Sequence, residues 1–347
     1  MKAVVKTKLG DGAVELLDVL KPTPSFGQAI VEVKAAGVCG SDVHFYRGKY
    51  DAYLNPPVVL GHEFSGVIFE LGPGVEGLEI GTRVTVETHA KVCGKCRFCN
   101  TGQYNLCMNR VAFGYGTNGA FTSYVVVPVN RVHELPANVS FEEGALTEPT
   151  AVVHHAIVDR TPLVPGSTVA ILGPGPIGLL ALQMAKNQGI GQTIITGLST
   201  DGMRLDMAKR LGVDMAIDVE REEDPVARIR NLTNGLGADV VLETSGSAPA
   251  MRQAIQMVRN GGQITRIGHG SGEMRVDLDP VTVRQITIQG TFSHTWGNWE
   301  GALQAMSSGR VSVKSLITHK LPIMEWKKAF ELMEKQESIK IILYPEN

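Results

Sequence analysis

The chain has 347 residues, 43% hydrophobic and 20% charged, with a formal net charge of −2; that length exceeds one simple core and predicts two domains. Near-neutrality gives no electrostatic reason to expect nucleic acid or an anionic membrane as a partner. No uninterrupted apolar run reaches the roughly 18 residues needed to span a bilayer. The opening stretch, MKAVVKTKLG, is too short and too polar for a signal peptide and reads as an edge strand. Five cysteines, an odd total without a secretory signal, point to a reducing compartment, the cytoplasm.

The first cysteine, Cys39, lies in AAGVCGSDVHFYRGKY, and VVLGHEFSGVI follows with His62 and Glu63. Further on, ALTEPTAVVHHA carries Glu148. A thiolate, an imidazole and a carboxylate form a mixed set that fits a catalytic zinc with one position left for water or substrate. Taken singly, these residues have plainer roles: a buried thiol, a packed histidine, a capping carboxylate.

The other four cysteines crowd into CGKCRFCNTGQYNLC, where Cys93, Cys96, Cys99 and Cys107 follow C-x2-C-x2-C-x7-C. Four thiolates so spaced close a tetrahedral shell around a structural zinc, in a lobe of about residues 89–110, and leave no open position. Gly94 and Gly102 supply the turns that fold this segment back on one ion. Disulfides suit a secreted chain better, and the spacing differs from the usual ferredoxin run.

From Ser167 strands and helices alternate: STVAILG, GPGPIG and LLALQMAKNQG, then QTIITGL and DGMRLDMAKRLG, then ADVVLETSG, APAMRQAIQMVRNGG and QITRIGHG. This predicts a doubly wound parallel sheet. Gly173, Gly175 and Gly178, with Pro176 and Ile177 between them, sit between strand and helix, the context a dinucleotide loop requires. The acidic residue expected about 20 positions on is absent. Gly197 stands there, followed by Ser199, Thr200 and Arg204. A hydroxyl and a guanidinium without a carboxylate favour the 2′-phosphate of NADP, with NAD possible. Alternatively, Arg204 stacks on the adenine and Asp201 serves the ribose. Ser245, Gly268 and Phe292, near the ends of later strands, complete the candidate cofactor contacts.

VCGSDVH, LGHEFSG, the cysteine segment, LTEP and GPGPIG together resemble the zinc-dependent medium-chain dehydrogenases over the whole chain, in the polyol branch typified by sorbitol dehydrogenase. The resemblance implies an α/β fold with a GroES-like, mainly β catalytic domain of residues 1–150 and 290–347. A Rossmann cofactor domain of residues 151–289 is then inserted between them. It implies Cys39, His62 and Glu63 as zinc ligands, with Glu148 bound directly or through water, and a homo-oligomer, tetramer or dimer. The implied reaction is reversible oxidation of a secondary alcohol to a ketone. Ser41 takes the alcohol proton and passes it through the nicotinamide ribose to His44, for which packing beside the site is the alternative.

The substrate is a polyol or polyol phosphate on this reading. Sorbitol dehydrogenases carry an arginine after the strand that returns to the catalytic domain, whereas GTFSHTWGNW offers Ser293 and His294. YRGKY adds Arg47 and Lys49, cations suited to a phosphate or to a solvated basic loop. Other segments resemble arabitol-phosphate dehydrogenases (GPGPIGLL) and threonine 3-dehydrogenases (VETHAKVCGKC), so threonine ranks second. A zinc-ribbon interaction module predicts a more basic lobe than this one, and a zinc-free reductase lacks Cys39, His62 and the lobe.

Overall fold

The computed structural model describes residues 1–270 and 272–346. Eight strands come first: β1 (Lys2–Lys6), β2 (Val14–Asp18), β3 (Gln28–Gly37), β4 (Val58–Val59), β5 (Glu63–Leu71), β6 (Arg83–Val86), β7 (Tyr124–Pro128) and β8 (Val132–Glu134). Then follow β9 (Thr168–Leu172), β10 (Gln192–Gly197), β11 (Met215–Asp218), β12 (Ala238–Glu243), β13 (Val258–Arg266) and β14 (Thr287–Gly290). The chain closes with β15 (Ile317–Pro322) and β16 (Lys340–Tyr344). It divides into two units. One comprises Met1–Ala151, His294–Gly309 and Val313–Asn347, and the other Val152–Ser293 with Arg310–Ser312.

In the first unit β3 is the spine of a seven-stranded sheet ordered β15-β16-β3-β5-β6-β8, with β7 also paired to β3. Its first residues pair with β7, its last two with β16, and its whole length with β5. The register therefore sets Gly37 opposite both Glu63 and Ile342, two positions far from it in sequence. Phe64, Phe113, Phe121 and Phe330 fill the interior beneath this sheet, all fully buried. Burying such a side chain contributes about 1.5–3 kcal/mol relative to leaving it exposed.

The expected edge strand at the N-terminus is an inner strand. β1 lies between β2 and β4, although its pairing with β4 covers only Val5–Val59 and Lys6–Val58. A two-residue partner leaves no periodic pattern in the sequence, which is why the pairing was not legible. Lys6 is consequently buried, its ammonium donating to the carbonyls of Gly10 and Gly12.

The second unit is a six-stranded parallel sheet ordered β11-β10-β9-β12-β13-β14. Strands such as TVAIL and ADVVLE are almost wholly buried, as a parallel sheet covered on both faces demands. Strand order reverses between β9 and β12. That reversal opens a crevice at the carboxyl ends of the strands, the place where such sheets bind ligands.

Candidate functional site

Register brings the mixed donor set together. Cys39 immediately precedes the helix Gly40–Tyr46, two residues beyond the end of β3, while His62 and Glu63 enter β5. Ligand atoms of Cys39, His62 and Glu63 all lie within 4.8 Å of one another. His62 and Glu63 are buried, with 5% and 0% of their surface exposed. Asp42 fixes the local geometry. Its Oδ2 accepts from the Cys39 amide at 2.9 Å, and its Oδ1 faces His62 Nδ1 at 3.7 Å. Burial opposes a charge on His62, but Asp42 and then Cys39 outweigh it and hold its pKa well above the imidazole norm. The soft thiolate, the imidazole and the adjacent carboxylate, crowded in a water-poor place, suit a zinc ion.

Two carboxylates flank this set differently. Glu63 is held by Lys340 of β16, whose Nζ is 2.6 Å from Oε1 and 2.5 Å from Oε2. Burial lowers the ammonium's pKa, but Glu63 and Cys39 outweigh it and the net shift is upward. Glu148 stands outside the three-atom grouping and accepts from Thr88 Oγ1 at 3.2 Å. Burial is the main cause that raises its pKa to about 7; His62 pulls it down and Glu63 pushes it up again. A carboxylate so poised binds a cation readily and, without one, holds a proton near neutrality.

Ser41 and His44 occupy one helix three residues apart, and so share a face. The His44 ring meets Tyr50 edge-on at 4.8 Å, and burial followed by Lys49 lowers its pKa. Arg47 forms a two-pronged ion pair with Glu334, at 2.6 and 2.8 Å, and reaches Asp11 at 3.5 Å. Its guanidinium is thus engaged by carboxylates although, like Lys49, it is exposed. His294 is fully buried and sits 4.0 Å from Glu148 Oε1, so it lies behind that carboxylate instead of on an accessible substrate surface. Ser293 beside it adopts φ 57°, the left-handed region, where a non-glycine residue is strained.

The four crowded cysteines converge as well. Cys93–Cys99 and Cys96–Cys99 sulfurs are 3.9 and 3.5 Å apart, close to the roughly 3.8 Å edge of a zinc tetrathiolate built with Zn–S near ~2.3 Å. All four are free thiols, so no disulfide competes for them. Gly94 and Gly102 take φ 70° and 76°, conformations that fit glycine. Backbone N–H groups of Lys95 and Cys96 lower the pKa of Cys93 to about 6, whereas burial raises Cys99 to about 12. Tyr104, between Cys99 and Cys107, anchors the lobe by donating to Glu87 at 2.8 Å.

A third buried grouping, Glu87, His89 and His294, looks like metal ligands by type alone. Its hydrogen bonds close it. His89 Nε2 lies 3.0 Å from the His294 carbonyl and Nδ1 lies 3.2 Å from Arg110 Nη1. A carbonyl only accepts and a guanidinium only donates, so Nε2 carries the proton and the Nδ1 lone pair is occupied. Glu87 is likewise taken, by Tyr104, His133 and Arg131.

In the second unit β9 ends at Leu172, Gly173 follows it at φ 109°, and the helix Pro176–Lys186 begins three residues after that glycine. A Cβ on Gly178 would collide with the Gly173 carbonyl, so helix and strand can approach only because Gly178 has none. Pro176 opens the first turn, where its missing N–H costs nothing, and Ile177 follows it. That helix N-terminus and glycine loop fit a pyrophosphate. A Cβ on Gly197 would lie 2.7 Å from Pro174 Cγ, so close packing excludes a side chain at the end of β10. Ser199 donates through its amide to Glu220 at 2.8 Å and through its hydroxyl to Asp218 at 2.8 Å, and Arg204 pairs with Asp201 at 3.0 Å. Buried Glu243 gathers the loop after β12, accepting from Ser245 N, Ser245 Oγ and Gly246 N at 2.8, 2.6 and 2.8 Å. The amides of Ile267 and Gly268 bond its carbonyl, and Phe292 lies 6.0 Å from the His269 ring.

Several residues at these sites escaped sequence reasoning: Gly37, Asp42, Thr88, Lys340 and Glu243. A lone lysine in the apolar run IKIILY was the one available signal for Lys340.

Two family models match the chain, the Alcohol dehydrogenase GroES-like domain over residues 25–137 and Zinc-binding dehydrogenase over residues 176–308. A sorbitol dehydrogenase of Halalkalibacterium halodurans is 44% identical over 99% of both chains. D-arabitol-phosphate dehydrogenase of Enterococcus avium is 37% identical over 99% of this chain and 97% of its own. L-threonine 3-dehydrogenase of Pyrococcus horikoshii is also 37% identical, over 99% and 98%. Among solved structures, a chain described as a zinc-binding dehydrogenase from Sinorhizobium meliloti 1021, bound to NADP, superposes with TM-score 0.91, 28% identity and 99% coverage of both. An alcohol dehydrogenase of Escherichia coli CFT073 complexed with NADH gives 0.89, 27% and 99% of both. With this likeness along its whole length, the chain belongs to the zinc-dependent medium-chain dehydrogenases, NAD(P)-linked oxidoreductases that act on alcohols.

Proposed function

We propose that the chain oxidises a secondary alcohol of a polyol to the ketone, reversibly, with residues 1–150 and 290–347 as the catalytic part and 151–289 as the cofactor part. The observation that carries this reading is the convergence of Cys39, His62 and Glu63 within 4.8 Å, beside Glu148 and the helix bearing Ser41 and His44. Cys39, His62 and Glu63 or Glu148 would hold the catalytic zinc, and Cys93, Cys96, Cys99 and Cys107 the structural one. Zinc supplies a Lewis acid that lowers the pKa of the alcohol hydroxyl, and the nicotinamide supplies the hydride acceptor. Ser41 accepts the hydroxyl proton. His44, kept neutral by burial, takes it onward toward solvent. Lys340 holds the Glu63 carboxylate in place, and the Asp42 carboxylate faces His62 Nδ1 across 3.7 Å.

A free polyol ranks ahead of a polyol phosphate because Arg47 is committed to Glu334. Threonine is the second substrate reading, supported by the threonine 3-dehydrogenase relative. NADP is the preferred cofactor, since Gly197 leaves no carboxylate at the end of β10 and Arg204 stands nearby. NAD is the second reading, favoured by the Asp218 and Glu220 carboxylates gathered at Ser199. No helix among the described residues is long and apolar enough to cross a membrane. We place the enzyme in the cytoplasm as a homo-oligomer, tetramer or dimer.

Steady-state kcat/KM with NADP and NAD across polyols, their phosphates and threonine tests this. A polyol preference supports the reading. Turnover confined to threonine overturns the substrate assignment and leaves the metal assignment standing.

A further inference from the structure

A chain of side chains, buried from His89 onward, connects the cysteine lobe to Glu148. Arg110, three residues after Cys107, donates to His89 Nδ1 at 3.2 Å. His89 Nε2 in turn donates to the His294 carbonyl at 3.0 Å, and the two imidazoles lie 4.7 Å apart at 36°. The His294 ring also meets Trp299 edge-on at 4.7 Å. Its Nε2 then faces Thr88 Oγ1 at 3.5 Å and Glu148 Oε1 at 4.0 Å. Thr88 has one hydroxyl proton and gives it to Glu148 at 3.2 Å, so the lone pairs of Oγ1 face the His294 N–H. Thr88, His89 and His294 expose 3%, 0% and 0% of their surface, so no solvent replaces these contacts.

We propose that Thr88 and His294, held from the cysteine lobe by His89 and Arg110, are positioning residues that fix Glu148 and thereby set how tightly the catalytic centre holds its zinc. The inference rests on the reading of Glu148 as a donor to that zinc. Glu148 has little freedom of its own, because the first turn of its helix is buried and its carboxylate accepts from the Thr88 hydroxyl. Displacing that hydroxyl moves the carboxylate relative to Cys39, His62 and Glu63. Partners that orient a metal ligand are worth roughly 10–100-fold in metal affinity. The lobe on this account does more than stabilise the fold: its Arg110 sets the far end of the same chain.

The test measures zinc affinity by chelator competition on the full-length enzyme, with Cys39→Ser identifying the catalytic-site phase. Thr88→Val keeps the shape and removes the hydroxyl; it is expected to weaken catalytic zinc about 10-fold, and Thr88→Ser to restore it. Arg110→Met is expected to shift affinity in the same direction. In a Glu148→Ala background both shifts should vanish, because the residues act through Glu148. Circular dichroism and retention of the structural zinc exclude unfolding as the cause. Thr88→Val at wild-type affinity, beside a weakened Glu148→Ala, overturns the positioning role. Unchanged affinity in Glu148→Ala overturns instead the reading of Glu148 as a donor.

Discussion

Gly37→Ala separates the geometry of the centre from its composition. Gly37 ends β3 directly opposite Glu63, and a Cβ there would meet Glu63 Oε2 far inside van der Waals contact, with Glu63 Cβ and Cδ at 3.3 and 3.4 Å. Its backbone lies outside the left-handed region, so alanine brings no torsional strain, only volume. The carboxylate cannot simply swing clear, because Lys340 grips both oxygens in a site with no exposed surface. An oxygen that must retreat by roughly 1 Å moves a proposed zinc donor by that much. Displacements of that size cost about 100-fold in rate, or about 2.7 kcal/mol of activation free energy. Overpacking in the strand adds about 1–3 kcal/mol of lost stability. The assay is kcat/KM for polyol oxidation, read beside zinc content and thermal midpoint. A variant within about threefold of wild type, with both zinc ions retained, would refute the claim that the position of Glu63 matters.

Other outcomes follow from the same geometry. Cys107→Ser opens the tetrathiolate shell, so metal analysis should find one zinc fewer per chain together with a lower thermal midpoint; full zinc retention contradicts the structural assignment. Because burial lowers the pKa of His44, its neutral form persists below the ordinary imidazole range near 6.5. Alcohol oxidation should therefore fall off only at a pH below that value, and His44→Ala should lower kcat/KM and remove this limb. Arg204→Ala should raise KM for NADP about tenfold or more, since a charge-assisted hydrogen bond is worth about 1.5–3 kcal/mol, and should leave KM for NAD little changed. Equal effects on both nucleotides would assign Arg204 to the adenine or the surface.

Legibility followed the range over which each feature is encoded. The cysteine lobe and the glycine loop are local. Spacing, glycines at positive φ and the strand–helix alternation sufficed to place Cys93, Cys96, Cys99, Cys107, Gly173 and Gly178. The donors of the mixed centre were legible only as separate motifs, because it is strand pairing that unites them. Lys340 meets Glu63 across 277 residues, and no local pattern reports that. Arg47 read as an available cation for the same reason, its partner Glu334 lying 287 residues further on. His294 read as a substrate contact because exposure is not written in sequence; it is buried against Trp299, on the helix Trp296–Ser307 that follows it, and against His89, which lies beyond β6. The inner position of β1 depends on a pairing two residues long. Motifs carry chemistry, while packing decides which polar groups remain available for it.

Zinc content per chain, measured with NADP- and NAD-linked sorbitol oxidation for the wild type and for Cys39→Ser, decides whether Cys39 serves a catalytic zinc. Two zinc ions are expected in the wild type and one in the variant, with oxidation lost along with the missing ion. Two ions retained in an active Cys39→Ser enzyme would contradict that assignment.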